Sequence, residues 1–175
     1  MSNCAGVIKS AIADGPGVRV SVFLSGCPHQ CPGCFNSEAW DYDYGTPLTH
    51  EAIEKVQSLL DHSFIQGLTL LGGEPLAPQN VEASIRLATA AKRLGKDVWI
   101  YTGYTFEDLM ALAFSSEQYR KILILCDVLV DGRFQQEQAD KQLVFKGSAN
   151  QRIIDIPASL EQKKLVLWEE PYAHH

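Results

Sequence analysis

Val18-Arg19-Val20-Ser21-Val22-Phe23-Leu24-Ser25-Gly26-Cys27-Pro28-His29-Gln30-Cys31-Pro32-Gly33-Cys34 is a short apolar run that breaks into a loop carrying three cysteines, spaced four and then three residues apart. The run is rich in β-branched residues and stops at Ser-Gly, which reads as a buried strand opening into a loop. Three thiolates packed this tightly on one turn converge on a single site. A cubane [4Fe-4S] centre normally takes four thiolate ligands, so three leave one iron open to a substrate or cofactor. The count points from a structural metal towards chemistry.

A zinc site and a disulfide set are the alternatives. Zinc takes four tetrahedral ligands, and the fourth could be His29, Cys4 or Cys126. His29 lies between the first two cysteines, where a short loop can hardly fold it onto the same ion. Five cysteines is an odd number for a disulfide framework, and three of them crowd into eight positions. An iron-sulfur site is the favoured reading, with zinc kept open.

The chain has 175 residues and is 46% apolar, enough for one well-cored domain, read as spanning 1–175. Met1-Ser2-Asn3-Cys4-Ala5 lacks a signal peptide's basic and apolar regions, and no apolar run reaches bilayer-spanning length. The expectation is a cytoplasmic protein with no membrane partner, in a compartment where free thiolates survive. A formal net charge of −6 argues against a nucleic-acid partner, which needs a basic face. His174 and His175 close the sequence and are given no role.

Further along, short apolar runs alternate with helical periodicity, and each run ends in a small or polar motif. Leu68-Thr69-Leu70-Leu71 leads into Gly72-Gly73-Glu74-Pro75, Asp97 to Tyr101 into Thr102-Gly103-Tyr104, and Val128-Leu129-Val130 into Asp131-Gly132-Arg133-Phe134. Thr49 can cap a helix with Ile53, Val56, Leu59 and Leu60 inward. Gln79 to Leu94 is a second helix, stopped by Gly95. Thr105-Phe106-Glu107-Asp108 is close to a capping box. Strand alternating with helix predicts a parallel sheet with right-handed crossovers, whose functional groups collect at the carboxyl ends of the strands. About four or five βα units are too few for a closed eight-stranded barrel, which needs roughly 200 to 250 residues. The expectation is therefore an α/β fold with a mainly parallel, curved sheet forming a partial, open barrel. Residues 142–157 read as two extended pieces joined by a polar turn. Trp40 and Trp99 read as packing residues, and Cys4 and Cys126 as small packed or surface side chains.

Gly26-Cys27-Pro28-His29-Gln30-Cys31-Pro32-Gly33-Cys34-Phe35-Asn36 resembles the cluster loop of radical S-adenosylmethionine (SAM) enzymes, and Gly72-Gly73-Glu74 resembles their second hallmark. Asp14-Gly15-Pro16-Gly17-Val18-Arg19 is similar to a segment of the activating enzymes of glycyl-radical proteins. Within that group, Asp131-Gly132-Arg133-Phe134 and Gly147-Ser148-Ala149-Asn150-Gln151-Arg152-Ile153-Ile154-Asp155 resemble the activating proteins of anaerobic (class III) ribonucleoside-triphosphate reductases. The likeness covers about residues 12–155.

The resemblance implies a partial barrel of the radical SAM type. It implies a [4Fe-4S] cluster on Cys27, Cys31 and Cys34 with SAM chelating the fourth iron. Gly72 and Gly73 would let the backbone approach the methionine part of SAM, and Glu74 would meet its ammonium. Thr102 and Gly103 correspond to a later loop that touches SAM. Many radical SAM loops carry an aromatic residue before the third cysteine, where it stacks near adenine; here Gly33 stands there and Phe35 follows, and which of the residues contacts the adenine is left open, with these two as the candidates. The implied reaction is one-electron cleavage of SAM, fed by a reductant such as reduced flavodoxin. The resulting 5′-deoxyadenosyl radical takes a hydrogen from a glycine of the anaerobic reductase. No acid or base residue is required, and none is assigned. The rivals are activation of another glycyl-radical enzyme, a small-molecule radical SAM reaction, and a non-catalytic zinc module.

Overall fold

The computed structural model describes residues 1–171; His174 and His175 lie outside the described residues. Its seven strands are β1 (Asn3–Ala11), β2 (Val18–Leu24), β3 (Thr46–Pro47), β4 (Ile65–Gly72), β5 (Asp97–Tyr101), β6 (Val128–Asp131) and β7 (Arg152–Asp155). They form one open sheet in the order β3-β1-β2-β4-β5-β6-β7. β2, β4, β5 and β6 run parallel. β1 is antiparallel to both β2 and β3, and β7 is antiparallel to β6. The sheet is thus mixed, not mainly parallel as the sequence suggested. The antiparallel edge at β1 escapes a sequence reading because Asn3–Ala11 contains Gly6, alternates poorly and is bulged twice, between Cys4 and Gly6 and between Ile8 and Ala11.

The crossovers are helices that the sequence punctuates clearly. α1 (His50–Leu60) begins at Thr49, whose hydroxyl accepts from the Ala52 amide, and buries Ile53, Val56 and Leu60. α2 (Val81–Arg93) follows β4, and Gly95, at φ +72°, turns the chain out of it. α3 (Phe106–Ser115) starts with a complete capping box between Thr105 and Asp108. α4 (Glu117–Leu125) packs beside it without having been foreseen, and α5 (Ile156–Gln162) closes the described chain's helices.

Strand periodicity sends alternate side chains to two cores. Val20, Val22, Leu24, Leu68, Leu70, Val98, Ile100 and Leu129 pack under the helices. The other face carries Trp99, Val128 and Val130, covered by Tyr101, Phe145, Ile153 and Trp168. Arg19 is fully buried on this second face. Its Nε donates to Thr69 Oγ1 at 2.8 Å, and its Nη groups reach the carbonyls of Pro16 and Leu68 and the carboxylate of Asp97. The Asp14–Arg19 segment is therefore folded back onto the sheet, with Asp14 accepting from Ser21 Oγ.

Residues 142–157 depart from the expected pair of extended pieces. Only Arg152–Asp155 is a strand. The preceding segment leaves the ladder to lay Phe145, at φ +61°, edge-on against Trp99 with ring centroids 5.4 Å apart. Asp155 then caps α5 by accepting from the Ala158 amide, so Ile156-Pro157 begins a helix. Among the described residues, no helix is long and apolar enough to cross a membrane.

Candidate metal and cofactor site

The parallel register sets the ends of the central strands side by side: Leu24 pairs with Gly72, and Tyr101 pairs with Val130. The loops that follow open onto one cavity. Its walls include Cys27, Cys31 and Cys34, the Gly72-Gly73-Glu74 turn, Thr102 and Gly103, and beyond them Gly132 and Phe134. This is the carboxyl edge of the parallel strands, where an α/β sheet presents its loops.

Among the described residues, no three His, Cys, Asp or Glu side chains stand close enough to hold one metal ion together. A cubane binds each thiolate at a different iron, so its test of fit is a shared cavity, and the three loop thiols share one. The donors suit the group: all three are free cysteines. Burial pushes the Cys27 and Cys31 thiols up from the ordinary range, and backbone amides oppose this, those of Gln30 and His29 at Cys27 and that of Phe134 at Cys31. Cys4 and Cys126 stand apart, each buried and bonded locally, to the carbonyls of Gly6 at 3.3 Å and Val128 at 3.2 Å.

Glu74 is the junction of the site. It is fully buried. Oε1 accepts from the Leu76 amide at 2.9 Å and from Thr102 Oγ1 at 2.8 Å. Oε2 accepts from the Gly103 amide at 2.7 Å and lies 2.9 Å from His29 Nε2. Four partners fill the four lone-pair directions of a carboxylate. His29, weighed as a zinc ligand from its place in the sequence, is committed to Glu74 instead.

The glycines serve the chain's own packing first. At Gly72, φ is +110°, and a Cβ would come 2.7 Å from the Leu24 backbone; at Gly73 it would come 2.5 Å from the Gly26 carbonyl oxygen. Gly33 is not part of the cavity wall and stands against Gln136. Phe35 does line the cavity, 79% exposed, with its ring 5.4 Å from that of Phe134. Trp40, read from sequence as packing alone, also lines the cavity and carries a buried indole N–H with no acceptor among the described residues.

The two downstream motifs fold against each other. Arg152 forks onto Asp131, Asn150 Nδ2 donates to the Arg133 carbonyl at 2.8 Å, and Gln151 Nε2 donates to the Gly132 carbonyl at 3.0 Å. Gln151 Oε1 accepts from the Gly147 amide at 2.8 Å, which ties both loops to the cavity rim. Sequence reasoning did not give site roles to Trp40, Phe134 or Gln151, and weighed His29 only as a fourth zinc ligand. His29, Phe134 and Gln151 were visible only as members of their motifs, and Trp40 lay outside every motif.

Residues 13–154 match the model of a family described as a 4Fe-4S single cluster domain. The chain is 41% identical over 144 residues to the anaerobic ribonucleoside-triphosphate reductase-activating protein of Salmonella typhimurium, a match covering 80% of this chain and 90% of that protein. The chain belongs to this activating-protein family. The corresponding protein of Haemophilus influenzae is 41% identical over 146 residues, covering 81% and 90% of the two chains. That of Enterobacteria phage T4 is 40% identical over 142 residues, covering 80% and 85%. Family membership spans the cysteine loop, the Glu74 junction and the paired downstream motifs together.

Proposed function

We propose that this protein is a radical SAM activase that generates a glycyl radical on an anaerobic ribonucleoside-triphosphate reductase. The observation that carries the reading is the sharing of one cavity by three free loop thiols and the Gly72–Glu74 and Thr102–Gly103 strand ends. Cys27, Cys31 and Cys34 would hold a [4Fe-4S] cluster, and SAM would complete it. Bound there, the pair supplies reductive cleavage of a sulfonium and the hydrogen-abstracting radical that follows.

The chain's own contribution is placement. The Gly72-Gly73 and Thr102-Gly103 backbones form the wall against which the methionine part of SAM would lie. Because the Glu74 acceptors are already taken, Glu74 offers the SAM ammonium its charge while holding that wall in place. Phe35 and Phe134 form an aromatic lip where adenine or an incoming loop can pack; Gly33 supports the turn behind it. The reacting glycine must come within about 3 to 3.5 Å of the 5′-carbon, and an open sheet leaves room for a partner's loop. Reduced flavodoxin is a suitable one-electron donor, and a reducing cytoplasm the matching compartment.

The test is electron paramagnetic resonance on anaerobically reconstituted protein with SAM, a reductant and the reductase. A glycyl doublet on the reductase is expected, with slow uncoupled SAM cleavage when the reductase is omitted. Zinc in place of iron and sulfide, or an intact reductase that never acquires the radical, overturns the reading.

A further inference from the structure

His29 meets Glu74 through one ring nitrogen and leaves the other unspent. Nε2 lies 2.9 Å from Glu74 Oε2. A carboxylate only accepts, so Nε2 carries the proton and donates. Nδ1 makes no hydrogen bond among the described residues, where the one bond of the His29 side chain is that to Glu74. A second proton, on Nδ1, would find no protein acceptor, so the ring fits the neutral Nε2–H tautomer and Nδ1 presents a bare lone pair.

The surroundings decide where that lone pair opens. The side chain is 5% exposed and lines the same cavity as Cys27, Cys31 and Cys34. A Cβ at position 103 would come 2.4 Å from Cδ2 and 2.8 Å from Nε2, so the Cδ2–Nε2 edge is turned to the Gly103 backbone and Nδ1 lies on the opposite edge. Tyr104 stands edge-on to the ring, centroids 4.7 Å apart. Among the described residues, the sealed side-chain atoms without a partner are Trp40 Nε1 and Asn150 Oδ1. Nδ1 is not one of them, and its small exposure gives onto the cavity. The neighbouring acceptors are engaged: Glu74 has four partners, and Thr102 Oγ1 donates to Glu74 while accepting from the Tyr104 amide at 3.1 Å. Of the three side chains joined there, His29 carries the one acceptor atom with no bond at all.

Resting on the SAM reading above, we propose that His29 is a SAM-binding residue: Nδ1 accepts a hydrogen bond from the amino end of SAM, while Glu74 holds the ring in the accepting tautomer. As ammonium or as amine, that end of SAM offers N–H donors and needs an acceptor. Glu74 supplies charge but no free lone pair, and the imidazole it orients supplies the lone pair. The residue binds no iron.

Three full-length proteins test this: wild type, His29→Phe, which keeps a ring against Tyr104 without either nitrogen, and His29→Gln, whose amide can donate to Glu74 and accept from an amine. Each is reconstituted anaerobically and titrated by calorimetry with SAM and with an analogue whose amino group is replaced by hydrogen. His29→Phe is expected to weaken SAM binding about tenfold while binding the analogue as wild type does, and His29→Gln should recover most of the loss. Nitrogen-15 NMR of the metal-free wild type should show the His29 ring protonated at Nε2 and bare at Nδ1. Equal losses for both ligands in His29→Phe overturn the proposal, because the ring then only props the wall. Undiminished SAM binding overturns it as well, and so does a folded His29→Phe protein that takes up no iron and sulfide, which would make the imidazole a metal ligand. If His29→Phe does not fold, the other two measurements decide: a proton on Nδ1, or a His29→Gln protein weakened equally toward both ligands, overturns the proposal. Wild-type protein that takes up no iron and sulfide, or binds no SAM, overturns the SAM reading itself. Sound wild-type binding that is indifferent to residue 29 overturns only this inference.

Discussion

Arg152 and Asp131 are joined by two parallel hydrogen bonds, Nε to Oδ1 at 3.1 Å and Nη2 to Oδ2 at 2.6 Å, across the antiparallel pairing of β7 with β6. Asp131 is the last residue of β6, almost fully buried, and its Oδ2 also accepts from the Phe106 amide at 2.7 Å. The pair thus fixes the start of the loop that carries Phe134, which lines the same cavity as Cys31. Arg152→Met should leave a buried carboxylate short of its main partner. Arg152 is about a third exposed, so the full cost of a broken buried pair is not reached. The expected loss is about 2 kcal/mol, seen in a thermal scan as a midpoint lower by about 4 to 8 °C for a chain of this size.

The same guanidinium contacts Glu107, with Nη1 to Oε1 at 3.1 Å and Nη2 to Oε2 at 2.6 Å, and this bond lowers the Glu107 pKa below its ordinary 4.5. A carboxylate whose folded pKa is depressed stabilises the fold above its unfolded pKa and loses that contribution as the pH falls through the folded one. Glu107→Gln should therefore cost stability at neutral pH and nothing once the pH is below both values. Because Glu107 is mostly exposed, the effect is at most about 1 kcal/mol. Denaturant titrations at neutral and strongly acidic pH should show the wild-type and variant curves converging in acid; a constant gap would contradict the assignment.

Cluster content should divide the five cysteines cleanly. Cys27→Ala, Cys31→Ala and Cys34→Ala each remove a thiol from the shared cavity and should reconstitute with little iron and sulfide. Cys4→Ala and Cys126→Ala should load fully. Full burial pushes the Cys126 thiol well up, which keeps it protonated and inert, and its loss should register only as about 1 kcal/mol of stability. Iron and sulfide assays on the five proteins check this; loss of the cluster in Cys126→Ala would contradict it.

The central strands and their helices were legible because their signals are local. Thr49, Gly95 and the Thr105–Asp108 box mark helix ends by their own hydrogen bonds, and the runs at Val18, Leu68, Asp97 and Val128 carry their burial in composition. What stayed hidden depends on distant partners. β1 is a strand because β2 offers it a ladder, and residues 142–149 are not one because Phe145 is drawn onto Trp99. The cysteine loop announced itself by spacing, whereas His29 gave no such signal: its place between two cysteines argued against a ligand role, and the bond of its Nε2 to Glu74 joins residues 45 positions apart. Likewise Arg19 and Asp97, which are 78 positions apart, pair only once β2, β4 and β5 lie side by side.

Glu74 sets the strictest demand on the site, because every one of its four partners donates. Glu74→Gln keeps the size of the side chain but replaces one acceptor oxygen with an NH2 group. Thr102 can turn its hydroxyl to accept, so the amide nitrogen is tolerated best on that side, yet the Leu76 amide there cannot reverse. On the other oxygen neither the Gly103 amide nor the protonated His29 Nε2 can accept. At least one buried N–H is therefore left unpaired in either orientation, at about 1 to 3 kcal/mol, with loss of the charge besides. A midpoint lower by about 2 to 12 °C is expected for a chain of this size. Calorimetric titration of the cluster-loaded variant with SAM should also show weakened binding, by about 1.5 to 3 kcal/mol if the charge meets the SAM ammonium. The variant should still bind iron and sulfide, since the three thiols remain. A stable variant with unchanged SAM affinity would remove Glu74 from both roles; one that loses iron while its fold is intact would place it at the metal rather than at SAM.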